Sequence, residues 1–361
     1  MLNNLTDFHS RILSWYHQNK RDLPWRKTAD PYCIWISEIM LQQTQVRTVI
    51  PYYNRFLKRF PTIEKLSQAT LDDVLKQWEG LGYYSRARNL HVAAQTLAEK
   101  NLGQFPDNRN ELRKLPGIGD YTSAAIMSIA FNQAVPAVDG NIKRVFARLA
   151  SLDDPVNATT SNKTFNRMAS QIMYHEDPGS YNQALMELGA LVCKPQNPDC
   201  TKCPVSSHCT AFQNGTVEQF PQVKKRPKTP EYHIAVGVVI KDKKLLITRR
   251  AEKGLLGGLW EFPGGKLENN EEPNKACIRE IKEETGLDVT TVEHLATVKH
   301  AYSHFKIKMD VFICDFVSGE VELSGPTDHR WIAPELIDKY AFPKANHKFI
   351  SKLKNWQGLA S

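Results

Sequence analysis

Four cysteines lie within residues 193–209, and this cluster constrains the chain more than any other feature of its sequence. Cys193, Cys200, Cys203 and Cys209 follow the spacing C-x6-C-x2-C-x5-C, which is close enough for four thiolates to surround one small inorganic centre. Zinc also binds four cysteines, but its sites usually contain two C-x2-C pairs. The spacing therefore predicts a metal or cluster site, with zinc or an iron–sulfur centre as its occupant.

The chain of 361 residues exceeds what one hydrophobic core usually supports, which predicts two or three domains. Residues 1–215 carry helical patterns, for example over Ile34–Tyr53 and Leu71–Trp78, and predict an all-α region. Residues 216–230 lack apolar periodicity and contain three prolines, which indicates a linker. Its basic cluster consists of Lys224, Lys225, Arg226 and Lys228.

Residues 231–361 change to short β-rich runs, such as IAVGVVI, KLLITRR and KIKMDVFICDF, with one helical segment at about Pro273 to Thr285. This pattern predicts an α+β or α/β domain, and the resemblance given below favours α+β. The whole chain is therefore expected to be a multidomain protein, all-α and then α+β.

Charge and the N-terminal sequence limit the setting in which such a chain works. Lys and Arg together number 47 against 39 Asp and Glu, a formal net charge of +8 that favours an anionic partner such as nucleic acid. The first twenty residues contain no uninterrupted apolar run, and no stretch reaches the roughly 18 residues of a membrane span. We expect a soluble, cytoplasmic protein.

Three further runs contain candidate phosphate-binding or acid–base groups. The run LPGIGDYTSAAI (115–126) places Gly117 and Gly119 in a turn before a helix that starts near Asp120, where backbone amides can bind a phosphate. Glu38 is flanked by apolar residues, a setting that raises the pKa of a carboxyl. Asp139 follows in AVPAVDGNIKRV, where it could equally be a helix cap. A carboxyl with a raised pKa can act as a general acid, and a carboxylate can stabilise a developing cation.

The cysteine spacing, the Gly-x-Gly turn followed by Asp139, and the run WISEIMLQQTQV (35–46) together resemble the endonuclease III and MutY family of DNA glycosylases. The resemblance covers nearly the whole chain. It implies a helix-hairpin-helix glycosylase fold over 1–215, a [4Fe-4S] cluster held by the four cysteines, and excision of adenine mispaired with 8-oxoguanine or guanine. It also implies a monomeric enzyme acting on double-stranded DNA.

By this resemblance, Glu38 would protonate adenine at its imidazole-ring nitrogen and later help to activate water, while Asp139 stabilises the sugar cation. Tyr121 and Asn141 would complete the catalytic site. Relatives that resemble endonuclease III and also cut the strand have a lysine where this chain has Tyr121, because an amine can form a Schiff base. A monofunctional glycosylase is therefore expected.

The family resemblance also assigns residues to DNA and base contacts, because a glycosylase must extrude its target and fill the gap. Trp25 and Arg26 match a stretch that borders the adenine pocket. The predicted wedge and pocket residues are Gln43, Thr44, Leu81, Gly82 and Tyr83. Arg86, Arg88 and Arg144 are candidate phosphate contacts, with a solvated helix face as the alternative.

The second half contains a complete Nudix box, G-x5-E-x7-R-E-U-x-E-E-x-G-U, from Gly265 to Leu287. Glu280, Glu283 and Glu284 share one helix face, where they could hold Mg²⁺. MutY-type enzymes carry a C-terminal domain that resembles the hydrolase MutT and reads 8-oxoguanine. The resemblance places recognition at Ser303 and His304 in the run HAYSHF, with a plain polar turn as the alternative.

Three other functions remain open at this stage: a Nudix pyrophosphohydrolase acting on 8-oxo-dGTP, a lesion sensor without catalysis, and an endonuclease III-like lyase. Glu38 and Asp139 argue against the sensor, which needs neither an acid nor an anion. Tyr121 and the second domain argue against the lyase.

Overall fold

The computed structural model describes residues 4–100, 103–225, 229–356 and 358. Arg226 and Lys228 of the predicted basic linker lie outside these residues. Within the described ranges, no helix has the length and apolar character needed to cross a membrane. The chain divides into two compact units. The first contains residues 4–68 and 89–225, and the second contains 69–88 together with the chain from 229 onward.

All regular structure described before residue 226 is helical, as the sequence predicts. The helices are α1 (Leu5–Asn19), α2 (Pro31–Leu41), α3 (Val46–Arg59), α4 (Ile63–Ser67), α5 (Leu71–Trp78), α6 (Ser85–Lys100), α7 (Arg109–Arg113), α8 (Asp120–Ala130), α9 (Gly140–Leu149), α10 (Asn162–Gln171), α11 (Pro178–Leu191) and α12 (Thr210–Gln213).

The helical pattern over 34–53 is divided between α2 and α3 by a turn at Gln42–Gln45. Gln43 adopts a positive φ of 54° there, a conformation that an α-helix does not contain. Helix α5 has the predicted bounds, Leu71–Trp78, and belongs to the second unit by its contacts. Its position in the chain gave no indication of this.

The core of the first unit forms between α1, α9, α10 and α11. Phe8, Ile12, Phe146, Phe165 and Tyr181 are among its fully or almost fully buried side chains. The first part of the predicted linker packs against the same unit. Arg148 Nε donates to the Phe220 carbonyl at 3.0 Å, and Asn157 exchanges two hydrogen bonds of 2.9 Å with the Lys224 backbone.

The second unit is a mixed β-sheet with a helix on each face. Its elements are β1 (Glu231–Lys241), β2 (Lys244–Arg249), β3 (Trp260–Glu261), β4 (Gly264–Lys266), α13 (Pro273–Thr285), β5 (Asp288–Ala301), β6 (Lys306–Ser318), β7 (Asp328–Ile332) and α14 (Lys344–Lys354). The strand order is β3-β2-β1-β6-β5, with β4 paired to β1 and β7 to β2. Only β1 and β6 pair in parallel among the described strands.

The alternation of apolar side chains along β1 explains why a helix packs on each face of the sheet, because successive side chains of a strand point to opposite faces. Val236 and Val238 pack on the face that α14 covers, while Ala235 and Val239 pack on the face that α13 covers. Gly237 lies between the latter two, where a Cβ atom would come within 2.4 Å of Ile281. Helix α13 can approach the sheet this closely only because residue 237 has no side chain.

Candidate active site

Helix α2 carries a carboxyl group into the interior of the first unit. Asp30 caps the helix by accepting from the Tyr32 amide at 2.8 Å, and Pro31 begins it, two features that favour a helix start. The helix is buried from Ile34 to Met40, so Glu38 is only 6 % exposed. Its Oε2 atom has no hydrogen-bond partner among the described residues.

The surroundings of Glu38 favour its neutral form. Burial raises the pKa of Glu38 to about 7, and the negative charge of Asp139 contributes to this rise. The Tyr121 hydroxyl and the charge of Arg26 oppose it. About half of the molecules therefore keep this proton at pH 7, which lets the carboxyl act as a general acid.

Asp139 is both a helix cap and a member of the site. Its Oδ1 accepts from the Ile142 amide at 2.7 Å, and its Oδ2 accepts from Asn141 Nδ2 at 2.8 Å. Burial raises the pKa of Asp139, whereas these hydrogen bonds and the nearby charge of Arg144 lower it. The two readings of this residue that the sequence left open are thus compatible, since capping α9 fixes the carboxylate in the cleft.

Tyr121 and Asn141 are fixed by neighbouring groups. The Tyr121 hydroxyl donates to Met186 Sδ at 3.7 Å, and burial together with the charges of Glu38 and Asp139 raises its pKa well above the usual range. The Oδ1 atom of Asn141 accepts from Arg144 Nη2 at 2.9 Å. Both side chains are therefore held in place by hydrogen bonds inside the cleft.

One cleft of about 760 Å³ in the first unit brings together many of the predicted site residues. It is large enough for a nucleotide. The predicted residues that line it are Trp25, Arg26, Glu38, Gln43, Thr44, Gly117, Gly119, Tyr121, Asp139 and Asn141. Gly119 caps α8, and a Cβ atom added to it would meet no atom within 4 Å, so the backbone there faces open space.

Sequence reasoning missed a buried acid that lines the same cleft. Glu187 is 1 % exposed and accepts hydrogen bonds from Arg21 and Arg26, with its Oε2 at 2.7 Å and 2.8 Å from their Nη2 atoms. The two guanidinium groups hold the pKa of Glu187 at about 2 in spite of its burial. No sequence signal could have found it, because Arg21 and Glu187 are 166 positions apart.

The four cysteines surround one small pocket, whose other lining residues include Val145, Leu149, Leu188 and Val205. Arg148 is 2 % exposed and donates to Cys193 Sγ at 3.3 Å. Burial raises the pKa of Cys203 to about 12, and the other three cysteines add to the rise. Among the described residues, no group of three or more His, Cys, Asp or Glu side chains is arranged to hold a metal ion.

The expectation that Arg86 and Arg144 contact phosphates is wrong, because both are buried at 8 % and 9 % exposure. Arg144 donates to the Cys193 and Gly189 carbonyls, each at 2.8 Å. Arg86 Nη2 donates to the Gly82 carbonyl at 3.1 Å. Arg88 is half-buried and donates to the Gly257 carbonyl, so part of its donor capacity also serves the fold.

Of the predicted wedge residues, Gln43 and Thr44 lie in the first unit, whereas Leu81, Gly82 and Tyr83 lie in the second unit with the recognition residues. Leu81 is buried, whereas Gly82 and Tyr83 are half-buried. Ser303 and His304 are exposed in the turn between β5 and β6, which the Tyr302 amide closes by donating to the Phe305 carbonyl at 2.8 Å. The Tyr83 and His304 rings lie 6.2 Å apart in an edge-to-face arrangement.

Glu280, Glu283 and Glu284 of the Nudix box lie on α13. Two of them form ion pairs, and the third is half-buried. Arg279 contacts Glu280 and Glu283 through Nη1, each at 3.0 Å, and Glu271 through Nε at 2.8 Å. Glu284 Oε2 accepts from the Gly264 amide at 3.0 Å, and burial raises its pKa to about 7. A cation would have to compete with Arg279 for two of these carboxylates.

Comparisons with known proteins agree with the two-part architecture. A family model described as "HhH-GPD superfamily base excision DNA repair protein" matches residues 36–170, and one described as "NUDIX domain" matches residues 235–352. A solved thermostable thymine-DNA glycosylase is 31% identical and superposes with a TM-score of 0.54, over 58% of this chain and 97% of its own. The chain is therefore a base excision repair enzyme of the helix-hairpin-helix class, with a Nudix domain.

Relatives that match most of the chain narrow the assignment. The adenine DNA glycosylase of Homo sapiens is 36% identical over 95% of this chain and 73% of its own length. That of Mus musculus is 37% identical over 92% of this chain and 75% of its own length. The chain belongs to the adenine DNA glycosylase family.

Proposed function

We propose that this chain hydrolyses the N-glycosidic bond of adenine mispaired with 8-oxoguanine or guanine in duplex DNA, and that it leaves the strand uncut. The observation that carries the proposal is Glu38. It is a buried carboxyl with an unpartnered oxygen and a pKa raised to about 7, and it lies in the same cleft as Asp139. A protonated acid and a carboxylate are the pair that glycosidic cleavage needs.

The two carboxyl groups take different roles because their surroundings differ. Glu38 lies among apolar side chains and keeps its proton, so it protonates the imidazole ring of the departing adenine. Asp139 is held by the Ile142 amide and Asn141, which favours its anionic form, and it stabilises the sugar cation. Glu38, deprotonated after the base leaves, then helps to activate the water that completes hydrolysis.

Tyr121 supports a monofunctional reaction. It lies in the cleft beside both carboxyl groups and offers a hydroxyl where a strand-cutting relative has an amine. A phenol has no amine nitrogen, so it cannot form a Schiff base with the sugar.

The contacts with DNA divide between the two units. In the first, Gln43 and Thr44 would border the extruded nucleotide, Trp25 and Arg26 the adenine, and the Gly117–Gly119 turn a phosphate. In the second, Leu81, Gly82 and Tyr83 would fill the gap in the duplex, while Ser303 and His304 read the opposite base. A monomeric state and a cytoplasmic location complete the proposal.

Cys193, Cys200, Cys203 and Cys209 would hold a [4Fe-4S] cluster, which would cross-link the loop of residues 193–209. They fit it because they line one pocket with apolar neighbours, and Arg148 donates to a cysteine sulfur, a bond that also stabilises cluster thiolates. In such a cluster each thiolate binds a different iron. The four sulfurs therefore surround a group of atoms, and need not converge on one ion.

Hydrolysis of 8-oxo-dGTP by the Nudix domain, with Mg²⁺ on Glu280, Glu283 and Glu284, is the less favoured alternative. Arg279 neutralises two of these carboxylates, and the raised pKa of Glu284 favours its neutral form. Release of pyrophosphate from 8-oxo-dGTP with Mg²⁺, abolished by Glu283→Ala, would support this second activity.

The decisive experiment is single-turnover excision of adenine from duplexes with 8-oxoguanine, guanine or thymine opposite. We expect excision opposite the first two and the fastest rate opposite 8-oxoguanine. Replacing both Ser303 and His304 by Ala should reduce that preference more than the rate opposite guanine. No excision from any duplex by an enzyme with its iron content intact would refute the proposal.

A further inference from the structure

Glu79 occupies a central position in the contact between the early segment 69–88 and the rest of the second unit. It follows the last residue of α5, and its side chain is 14 % exposed. Its Oε1 accepts from the Phe342 amide at 2.8 Å and lies 3.0 Å from His347 Nε2, while its Oε2 lies 2.5 Å from Lys76 Nζ. One carboxylate therefore joins parts of the chain that are 263 positions apart.

Lys76 strengthens the same attachment. Its Nζ donates to the Tyr340 carbonyl at 3.0 Å as well as to Glu79. Hydrogen bonds in which one partner is charged are stronger than neutral ones. Because the Glu79 carboxylate is charged, the hydrogen bonds that its two oxygens accept are of this stronger kind. We call the contacts of Glu79 and Lys76 with residues 340–347 the clasp.

The clasp lies at the base of the wedge loop, which we define as residues 80–83. Gly80, Gly82 and Tyr83 have φ values of 90°, 80° and 50°. At the other end of the loop, Trp78 Nε1 and Arg86 Nη2 each donate to the Gly82 carbonyl at 3.1 Å. These internal bonds shape the loop, and the clasp attaches it to the remainder of the second unit.

The attachment matters because the wedge loop and the recognition turn meet in the same unit. The Tyr83 ring lies 6.2 Å from that of His304. A loop with three residues at positive φ has many alternative conformations when it is released, and ordering it again on DNA would reduce binding. Holding it beside the turn removes that cost in advance.

We propose that Glu79 is a specificity-determining positioning residue: it keeps Tyr83 beside His304, so that the two read the base opposite adenine as one surface. This inference rests on the proposed function, in which the second unit recognises that base. The contacts of Glu79 given above, with Lys76, Phe342 and His347, all lie within the second unit. Its loss should therefore reduce discrimination between opposite bases and leave the excision chemistry intact.

The test compares single-turnover rates of adenine excision opposite 8-oxoguanine and opposite guanine, with the full-length protein. In Glu79→Ala the ratio of the two rates should fall about tenfold, a usual size for coupling between two sites, while the rate opposite guanine changes less than twofold. Glu79→Gln keeps an oxygen for the Phe342 amide and loses the charge, so it should give an intermediate ratio and stay folded if the alanine variant does not.

Asp72→Ala is the matched control. It removes the 3.1 Å ion pair of Asp72 with Arg249, which attaches the first turn of α5 to the rest of the second unit, whereas the wedge loop follows the last turn. The wild-type ratio should persist in this variant.

An unchanged ratio in folded Glu79→Ala overturns the inference, and so does an equal loss of rate opposite both bases, which indicates a merely structural role. A wild-type enzyme that excises adenine without preference also overturns it. A wild-type enzyme that excises no adenine refutes the proposed function instead.

Discussion

Glu38→Gln tests the acid role with little change of shape. At pH 7 a carboxyl with the ordinary pKa of 4.5 keeps its proton in about 0.3 % of molecules, whereas one with a pKa of about 7 keeps it in about half. Burial thus supplies roughly 150 times more of the acidic form. Glutamine cannot donate that proton to adenine, and general acid catalysis contributes about 10²–10⁴-fold. We expect at least this loss of excision rate, with duplex binding within about threefold of wild type.

The assay is single-turnover excision of adenine opposite 8-oxoguanine, measured from pH 5 to pH 9. The acid acts while it is protonated, so the wild-type rate should be highest below the pKa of Glu38. It should fall as the pH rises through about 7. The residual rate of Glu38→Gln should show no decline near pH 7, because the group that titrates there is gone.

Thermal unfolding provides the control for folding, and its sign follows from the same raised pKa. The folded state disfavours ionised Glu38, so the wild type loses stability as pH rises from about 4.5 to 7. The variant avoids this loss and should melt above the wild type at pH 8, with the difference shrinking toward pH 5. A variant that is folded, binds DNA and retains wild-type turnover would show that Glu38 is not the acid.

Three further predictions concern the rest of the site. Asp139→Asn should lose excision by a factor of about 10²–10³, since an amide cannot offset the sugar cation, and rates measured beside melting temperatures will separate this from loss of the α9 cap. Tyr121→Lys should form a covalent adduct with DNA on treatment with borohydride, because an amine would then face the sugar; no adduct would mean that residue 121 lies elsewhere. The purified protein should be brown with about four irons per chain, and a colourless, zinc-loaded protein would contradict the cluster.

Local patterns in the sequence were enough to predict most of the fold. Helix α13 has the predicted bounds, Pro273–Thr285, and α8 begins at the predicted Asp120, because proline and glycine mark these helix ends. The short β-rich runs IAVGVVI and KLLITRR identified β1 and β2. The membership of α5 in the second unit was beyond sequence reasoning, since it depends on contacts such as that of Glu79 with the Phe342 amide.

The candidate site was predictable to a smaller extent, and the reason is physical. The resemblance of their surrounding runs to a known family identified Glu38 and Asp139 as candidates, and the structure places both in one cleft. Burial, which the sequence does not reveal, determines whether the predicted arginines can reach DNA. Arg86 and Arg144 look like surface cations in the sequence, but each ends among carbonyl acceptors. A helical pattern cannot distinguish a buried arginine with satisfied donors from one that faces DNA.

Helix α9 shows why the predicted cluster loop and the catalytic cleft depend on each other. Asp139 caps its first turn, Arg144 in the next turn bonds both Asn141 and the Cys193 carbonyl, and Arg148 in the turn after that donates to Cys193 Sγ. Arg144 and Arg148 lie on one side of the helix because four positions are close to one helical turn, and Asn141 connects Arg144 to Asp139 at the helix start. A shift of the cysteine loop would therefore move the acceptors of Arg144, and through Asn141 the partner of the Asp139 carboxylate, the candidate cation stabiliser. The loop of residues 193–209, remote from the cleft in sequence, thus belongs to the support that holds Asp139 in place.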